Sequence, residues 1–127
     1  MISINDKSDV PIYEQIKEGL RGLMARKILL PGDQVPPIRG LAETLVVNPN
    51  TIAKAYRELI LEGFLESRKG EGAFVAARAG NKASNGMKSV RQRLIDSVQL
   101  SRRAGLSWKD IQAALEQAKE EEGGNGE

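Results

Sequence analysis

Apolar positions along the chain change their spacing several times, and each change marks an element. Ile12, Ile16, Leu20, Leu23 and Met24 recur at helical spacing, and Pro11 suits a first turn, so a helix is expected over 11–28. Leu30-Pro31-Gly32-Asp33 ends it, because Pro and Gly both break helices and favour a turn. A short second helix over 38–46 turns Leu41, Ala42 and Leu45 inward. Asn48 then offers a side-chain oxygen to cap a third helix, and Pro49 fits its first position, where a missing N–H costs nothing. That helix, 49–62, carries Ile52, Tyr56, Leu59 and Ile60 on one face, and Gly63 stops it with a left-handed cap.

The period then shortens. Residues 64–68 and 73–76 read as two short strands, with Lys69-Gly70-Glu71-Gly72 as the hairpin tip. Residues 78–86 are small, polar and glycine-bearing, and are read as a linker. Helical spacing returns over 87–104 with Met87, Val90, Leu94 and Val98, and Gly105 ends it. Ser107-x-x-Asp110 signals the start of a last helix over 107–122, carrying Trp108, Ile111, Leu115 and Ala118. Residues 123–127 are expected to fray.

This order predicts a mainly α protein with a small β-hairpin wing. A winged helix-turn-helix over 1–77 is followed by a two-helix C-terminal dimerisation region over 87–122. In such a domain the first helix of the pair crosses the phosphates, the second enters the major groove, and the wing reaches the neighbouring backbone. Two short amphipathic helices after a polar linker have little core of their own. Val90, Leu94, Val98, Trp108, Ile111 and Leu115 are therefore read as a face that a second copy covers. Folding back onto the winged domain is the alternative.

Composition narrows the chemistry. The 127 residues include no Cys and no His, which removes disulfides, thiolate metal sites and the commonest general base. An enzyme is not expected, and no cofactor or metal is implied; a carboxylate-only hydrolase is the remote alternative. Glu120, Glu121 and Glu122 read as a solvated helix end rather than a metal or acid/base cluster. Lys69-Gly70-Glu71-Gly72 lacks the spacing of a phosphate-binding loop. No run reaches the roughly 18 apolar residues of a membrane span. The start, Met1-Ile-Ser-Ile-Asn-Asp, has no basic-then-apolar signal pattern, so a cytoplasmic protein without membrane partners is expected. The formal net charge is +2, and residues 1–78 and 79–127 each carry one more basic than acidic residue. Neither part is a basic tail, so a positive face has to come from placement.

Pro11-Ile-Tyr-Glu-Gln-Ile, Leu30-Pro-Gly-Asp, Ile38-Arg39, Val47-Asn-Pro-Asn-Thr51, Ala55-Tyr-Arg-Glu-Leu59, Glu62-Gly63 and Lys69-Gly-Glu-Gly-Ala-Phe-Val75 follow in order. As a set they resemble the N-terminal DNA-binding domain of the GntR family of bacterial transcription regulators, over roughly residues 10–77. About 50 residues remain, which resembles the YtrA-type subfamily with its short helical dimerisation tail. The resemblance implies a homodimeric repressor on an approximately palindromic double-stranded DNA operator, in that subfamily often of an ABC-type transporter operon. It also implies that Arg39 contacts DNA, that Asn48, Asn50 and Thr51 lie where the recognition helix meets bases and phosphates, and that Lys69, Gly70 and Gly72 form the wing.

Each position has a plainer role as well. Arg39 forks onto a guanine edge or pairs with Glu43 one turn on. Asn48 is first a cap, and Asn50 and Thr51 divide evenly between base contact and helix start. Lys54 and Arg57 on the third helix face phosphate or only solvent. A winged helix that docks protein is the alternative to DNA binding. A small-molecule effector of unidentified chemistry fits the plan, but the sequence marks no dedicated pocket.

Three departures from the family pattern stand out. Pro37 and Gly40 replace a Ser/Glu capping box, so the second helix is expected to be the least stable of the three. Val46 stands where Gly is usual, and a β-branched residue disfavours positive φ, so another turn geometry is expected. Ala73 replaces a common wing Thr and removes a phosphate donor.

Overall fold

The computed structural model describes residues 2–122. The expected frayed tail, 123–127, lies outside them. Helices α1 (Ile12–Ala25), α2 (Ile38–Leu45) and α3 (Pro49–Leu61) precede the strands β1 (Leu65–Arg68) and β2 (Gly72–Val75), and α4 (Ala79–Arg103) and α5 (Trp108–Glu121) follow. The chain divides into two compact units, Met1–Met87 and Lys88–Glu127.

In the first unit the apolar stripes converge on one aliphatic core. Ile16, Leu20 and Met24 of α1 pack with Ile52, Ala55 and Leu59 of α3, and Leu41 and Ala42 of α2 close one side. β1 and β2 pair antiparallel from Leu65↔Val75 to Arg68↔Gly72. The chain before α2 adds a third, irregular strand to this hairpin. Gly32 N–H donates to Val75 O (2.8 Å), Val75 N–H to Asp33 O (2.8 Å) and Val35 N–H to Ala73 O (3.0 Å). The wing is thereby anchored to the loop that enters α2.

Residues 79–86 are not a linker. They form the first turns of α4, with Ala79 and Ala83 buried in the core of the winged domain. Small residues that look flexible in sequence are here the ones that let a helix lie close against that core. The domain therefore runs ten residues beyond the expected boundary, to Met87.

Four helices end in the same hydrogen-bond pattern. At each, one residue takes a left-handed conformation, and the next N–H reaches back to the fifth carbonyl before it. These bonds are Ile28 to Leu23, Val47 to Ala42, Phe64 to Leu59 and Leu106 to Ser101, at 2.9–3.0 Å. The left-handed residues are Lys27, Val46, Gly63 and Gly105. Val46 therefore keeps the geometry that glycine would take, at φ 57° and ψ 53°, instead of adopting another turn. Its side chain is 88% exposed, so no packing compensates the strain.

In the second unit Ser107 and Asp110 form the expected capping box. Ser107 Oγ accepts from Asp110 N–H (3.0 Å), and Asp110 Oδ2 accepts from Ser107 N–H (2.9 Å). Those bonds hold the Asp110 carboxyl below its ordinary value. Arg102 lies over the Trp108 ring at 4.8 Å and donates to Leu106 O (3.1 Å), which braces the turn between the helices.

Val46→Gly is expected to raise stability by about 1 kcal/mol, because a left-handed non-glycine residue costs about 1–2 kcal/mol and the added backbone entropy offsets part of that. Urea denaturation measures it; an unchanged midpoint would contradict strain at Val46. Hydrogen exchange should also show α2 as the fastest-exchanging of α1 to α3, since it is only eight residues long, contains Gly40 and, like α1, starts without a side-chain cap.

Candidate nucleic-acid interface

The start of α3 is built by four consecutive residues. Asn48 Oδ1 accepts from Asn50 N–H (2.8 Å), Asn48 O from Thr51 N–H (2.9 Å), and Pro49 occupies the first position without an N–H to satisfy. Asn48 thus acts as the cap. Asn50 stands exposed beside it and Thr51 is half-buried. The frame leaves α3 with its N-terminus open to solvent and its dipole favouring an anion there.

The roll of α3 is fixed by charge as well as by the core. Lys17 on α1 is 3% exposed. Its ammonium donates to Glu58 Oε1 (2.8 Å) on α3 and to Glu62 Oε2 (2.6 Å) at the C-cap of that helix, with Glu14 at 3.7 Å. Arg21 extends the network to Glu62 at 3.3 Å. Burial alone would lower the Lys17 pKa, but the two hydrogen-bonded carboxylates and Glu14 outweigh it and raise it to about 12. Glu58 is held below its ordinary value by the Lys17 hydrogen bond. Lys82 adds a bond to Glu62 O at the end of the same helix.

A second tie holds the other side of α3. Tyr56 donates its hydroxyl to Pro36 O (2.6 Å), fixing the chain that leads into α2. Burial pushes the Tyr56 hydroxyl up to about 12. The wing has its own clamp, in which Gln34 Nε2 donates to Glu71 O (2.6 Å). Gly72 sits at φ 108°, and a Cβ there would stand 3.0 Å from Gln34 Nε2, so a side chain would collide with the clamp.

Arg39 is exposed on α2, and among the described residues its side chain makes no hydrogen bond or ion pair. The pair with Glu43 does not form. Arg39 shares one open hollow with Asn48 and Pro49, and a second groove with Arg57 and Gly72. Arg57 is exposed and likewise makes no hydrogen bond or salt bridge. Lys54 differs: its ammonium lies over the Tyr13 ring of α1 at 4.0 Å. Lys69 and Gly70 stand exposed at the wing tip and line neither hollow. The structure therefore brings Arg39 together with the α3 start, Arg57 and the wing base, and leaves Lys54 engaged on α1. Lys17 and Gln34 were not singled out from sequence. The i,i+4 pair Glu58/Glu62 was the available sign of the first, and nothing local marks the second.

Residues 12–75 match the family described as bacterial regulatory proteins, gntR family. The chain belongs to the GntR family. The HTH-type transcriptional repressor YtrA of Bacillus subtilis (strain 168) is 35% identical over 112 residues, covering 87% of this chain and 86% of that protein. YtrA from Sulfolobus acidocaldarius, a GntR-family transcription factor, superposes with a TM-score of 0.58 at 35% identity, over 76% of this chain and 99% of that one. The AraR DNA-binding domain in complex with operator ORX1 matches 53% of this chain and 81% of its own at 34% identity, with a TM-score of 0.51. The winged domain is thus that of a DNA-binding transcription regulator, and the relatives are regulators rather than enzymes. Among the described residues no helix is long and apolar enough to cross a membrane.

Lys17→Ala is expected to destabilise the domain by about 2–3 kcal/mol, since breaking a buried pair leaves its partners uncompensated while the glutamates keep part of their hydration. Thermal unfolding checks it, and a loss under 0.5 kcal/mol would show that the network fixes nothing. The raised pKa values of Lys17 and Tyr56 also set an alkaline limit. Both groups hold their protons more tightly when folded, so their contribution is complete below about pH 10 and is lost as pH rises toward 12. Stability followed by urea titration should stay level in this respect from pH 7 to 9 and fall between 10 and 12. Tyr56→Phe should flatten part of that fall.

Proposed function

We propose that the chain is a cytoplasmic, homodimeric transcriptional repressor that binds an approximately palindromic double-stranded DNA operator. The observation that carries this reading is the convergence of an unpaired Arg39, the capped and open start of α3 and the clamped wing on one domain. Arg39 reads a guanine edge; Asn50 and Thr51 meet bases or phosphate at the helix start, with the cap residue Asn48 beside them. Lys69, Gly70 and Gly72 bring the wing to the adjoining backbone. Arg57 and then Lys54, once drawn off Tyr13, add phosphate contacts. The domain assignment that goes with this is a winged unit of 1–87 and a dimerising unit beyond it.

The dimer reading is supported by what the second unit leaves uncovered. Val90, Leu94, Trp108 and Leu115 are 55–64% exposed, while Val98 and Ile111 are half-buried. No residue of α5 is buried, so an amphipathic helix lacks a partner for its apolar face. A two-fold dimer then presents two equivalent winged domains to two half-sites. Similarity to the repressor from Bacillus subtilis supports repression by promoter occlusion, and resemblance to the YtrA-type subfamily supports an ABC-type transporter operon as the target.

Selection of bound sequences from random DNA tests the reading and yields the operator; recovery of no preferred sequence would overturn it. On the selected site, Arg39→Ala should weaken binding by about 5- to 150-fold, the equivalent of roughly 1–3 kcal/mol. Circular dichroism should stay unchanged. Affinity should also fall steeply with salt, by about 0.9 in log slope per phosphate contact. Sedimentation should give a dimer at micromolar concentration, and Leu94→Glu with Trp108→Glu should give a folded monomer. A wild-type monomer at that concentration refutes the dimer.

A further inference from the structure

The winged domain contains a concavity that the sequence did not announce. A groove of about 680 Å³ opens between the start of α2, the outer face of α3 and the base of the wing. That volume lies within the roughly 300–1,000 Å³ of small-molecule sites. We infer that it binds a compact apolar anion, a flat ring-sized body bearing one carboxylate, and that this ligand competes with DNA for Arg39 and Arg57. The competition rests on the DNA reading proposed above; the binding itself does not.

The walls are largely apolar, and hydrogen bonds between lining residues hold each of them in place. Pro36 and Tyr56 form one wall, joined by the 2.6 Å bond from the Tyr56 hydroxyl. The wing side is held by the 2.6 Å bond from Gln34 to Glu71 O. A groove pinned on both sides is preformed, so a ligand does not have to open it. At its mouth stand Ile38 and Leu61, the latter 82% exposed. Leu61 sits on the solvent side of α3, where nothing in this domain covers it.

Charge decides what the occupant carries. Arg39 and Arg57 both line the groove, and neither guanidinium makes a hydrogen bond or salt bridge among the described residues. Glu71 opposes them, leaving the lining net positive. A DNA backbone satisfies the arginines but not the walls, because dehydrating apolar surface against phosphate gives the phosphate no partner there. A neutral apolar molecule satisfies the walls but leaves both guanidinium groups unused. A ring with a carboxylate fills the hollow and offers the planar, two-oxygen acceptor that a guanidinium forks onto. Such a ligand occupies the same two arginines that an operator needs, so it releases DNA by direct exclusion rather than by moving domains.

Calorimetric titration of the full chain with 2-naphthoate, beside the neutral isostere 2-naphthalenemethanol, tests the site. One naphthoate per chain is expected, at least tenfold tighter than the alcohol, with amide shifts in NMR confined to residues around the groove. Arg57→Ala should erase the preference for the anion. Ala53→Trp, which fills the groove, should abolish binding of both compounds. Leu61→Glu at the exposed mouth should repel the anion, and serves if Ala53→Trp fails to fold. No saturable binding up to millimolar naphthoate, equal affinity for the alcohol, or binding untouched in the folded variants would overturn the site. Added to the complex with selected DNA, naphthoate should raise the apparent Kd for DNA in step with its own occupancy. Full occupancy with unchanged DNA affinity overturns the competition. A chain that binds no DNA refutes the DNA reading and with it the competition, while the titration still decides the site.

Discussion

A lysine buried to 3% exposure is the constraint around which the winged domain is arranged. An ammonium removed from water costs several kcal/mol unless its protons find acceptors. Lys17 finds two at 2.8 and 2.6 Å, one on α3 and one at its C-cap, with a third carboxylate nearby on its own helix. Those distances leave α3 little freedom to roll or slide along α1, because a slip of one residue would strand the charge. Apolar contacts between Ile16, Leu20, Ile52 and Leu59 supply most of the attraction, yet such contacts tolerate small shifts. The ion cluster supplies register. Tyr56, bonded to Pro36 on another side of α3, then fixes the loop into α2 against the same helix. The presentation of Asn50 and Thr51 follows from these two attachments.

The helix ends show a different compromise. All four left-handed termini use the same two-bond closure, but only Gly63 and Gly105 fill it without a Cβ penalty. Val46 holds the position between α2 and α3, where the turn angle sets how Arg39 and the start of α3 lie relative to each other. Its strain persists because the Val47 and Val46 N–H groups both have carbonyl partners on α2, at 3.0 and 3.3 Å. An exposed β-branched residue in that conformation therefore reports how firmly the surrounding turn is determined.

Much of this was legible from spacing. The three helices, the hairpin, the Asn48 cap, the Gly63 stop and the Ser107/Asp110 box are local features, and local rules found each of them. The misread segment, 78–86, failed for a definite reason: Ala79, Ala83 and their glycine neighbours have the composition of a linker, and only their burial against a core formed by distant residues makes them helical. The Val46 turn failed similarly, because flanking hydrogen bonds overrode a local preference. Lys17 looks in sequence like any solvated helical lysine; its partners are 41 and 45 residues away. The Gln34 clamp and the groove lie between elements, where periodicity carries no information.

The near-neutral charge makes the sorting of basic residues decisive. In the winged domain Lys17 and Arg21 are committed to glutamates, Arg68 covers the Phe74 ring at 3.9 Å, Lys82 serves Glu62 O, and Lys54 rests on Tyr13. On α2, α3 and the wing, Arg39, Arg57 and Lys69 are left for an external anion, and elsewhere in the domain Lys7, Lys27 and Arg78 are also uncommitted. A strongly basic domain would bind any DNA and read sequence only as a small increment on a large electrostatic background. On the face of α2, α3 and the wing that background is thin, so in the proposed dimeric DNA complex base contacts and the doubling of sites carry a larger share of the affinity. The same thinness explains why two arginines on the rim of an apolar groove matter: occupying them removes most of the positive charge that α2 and α3 offer, with no change in the fold.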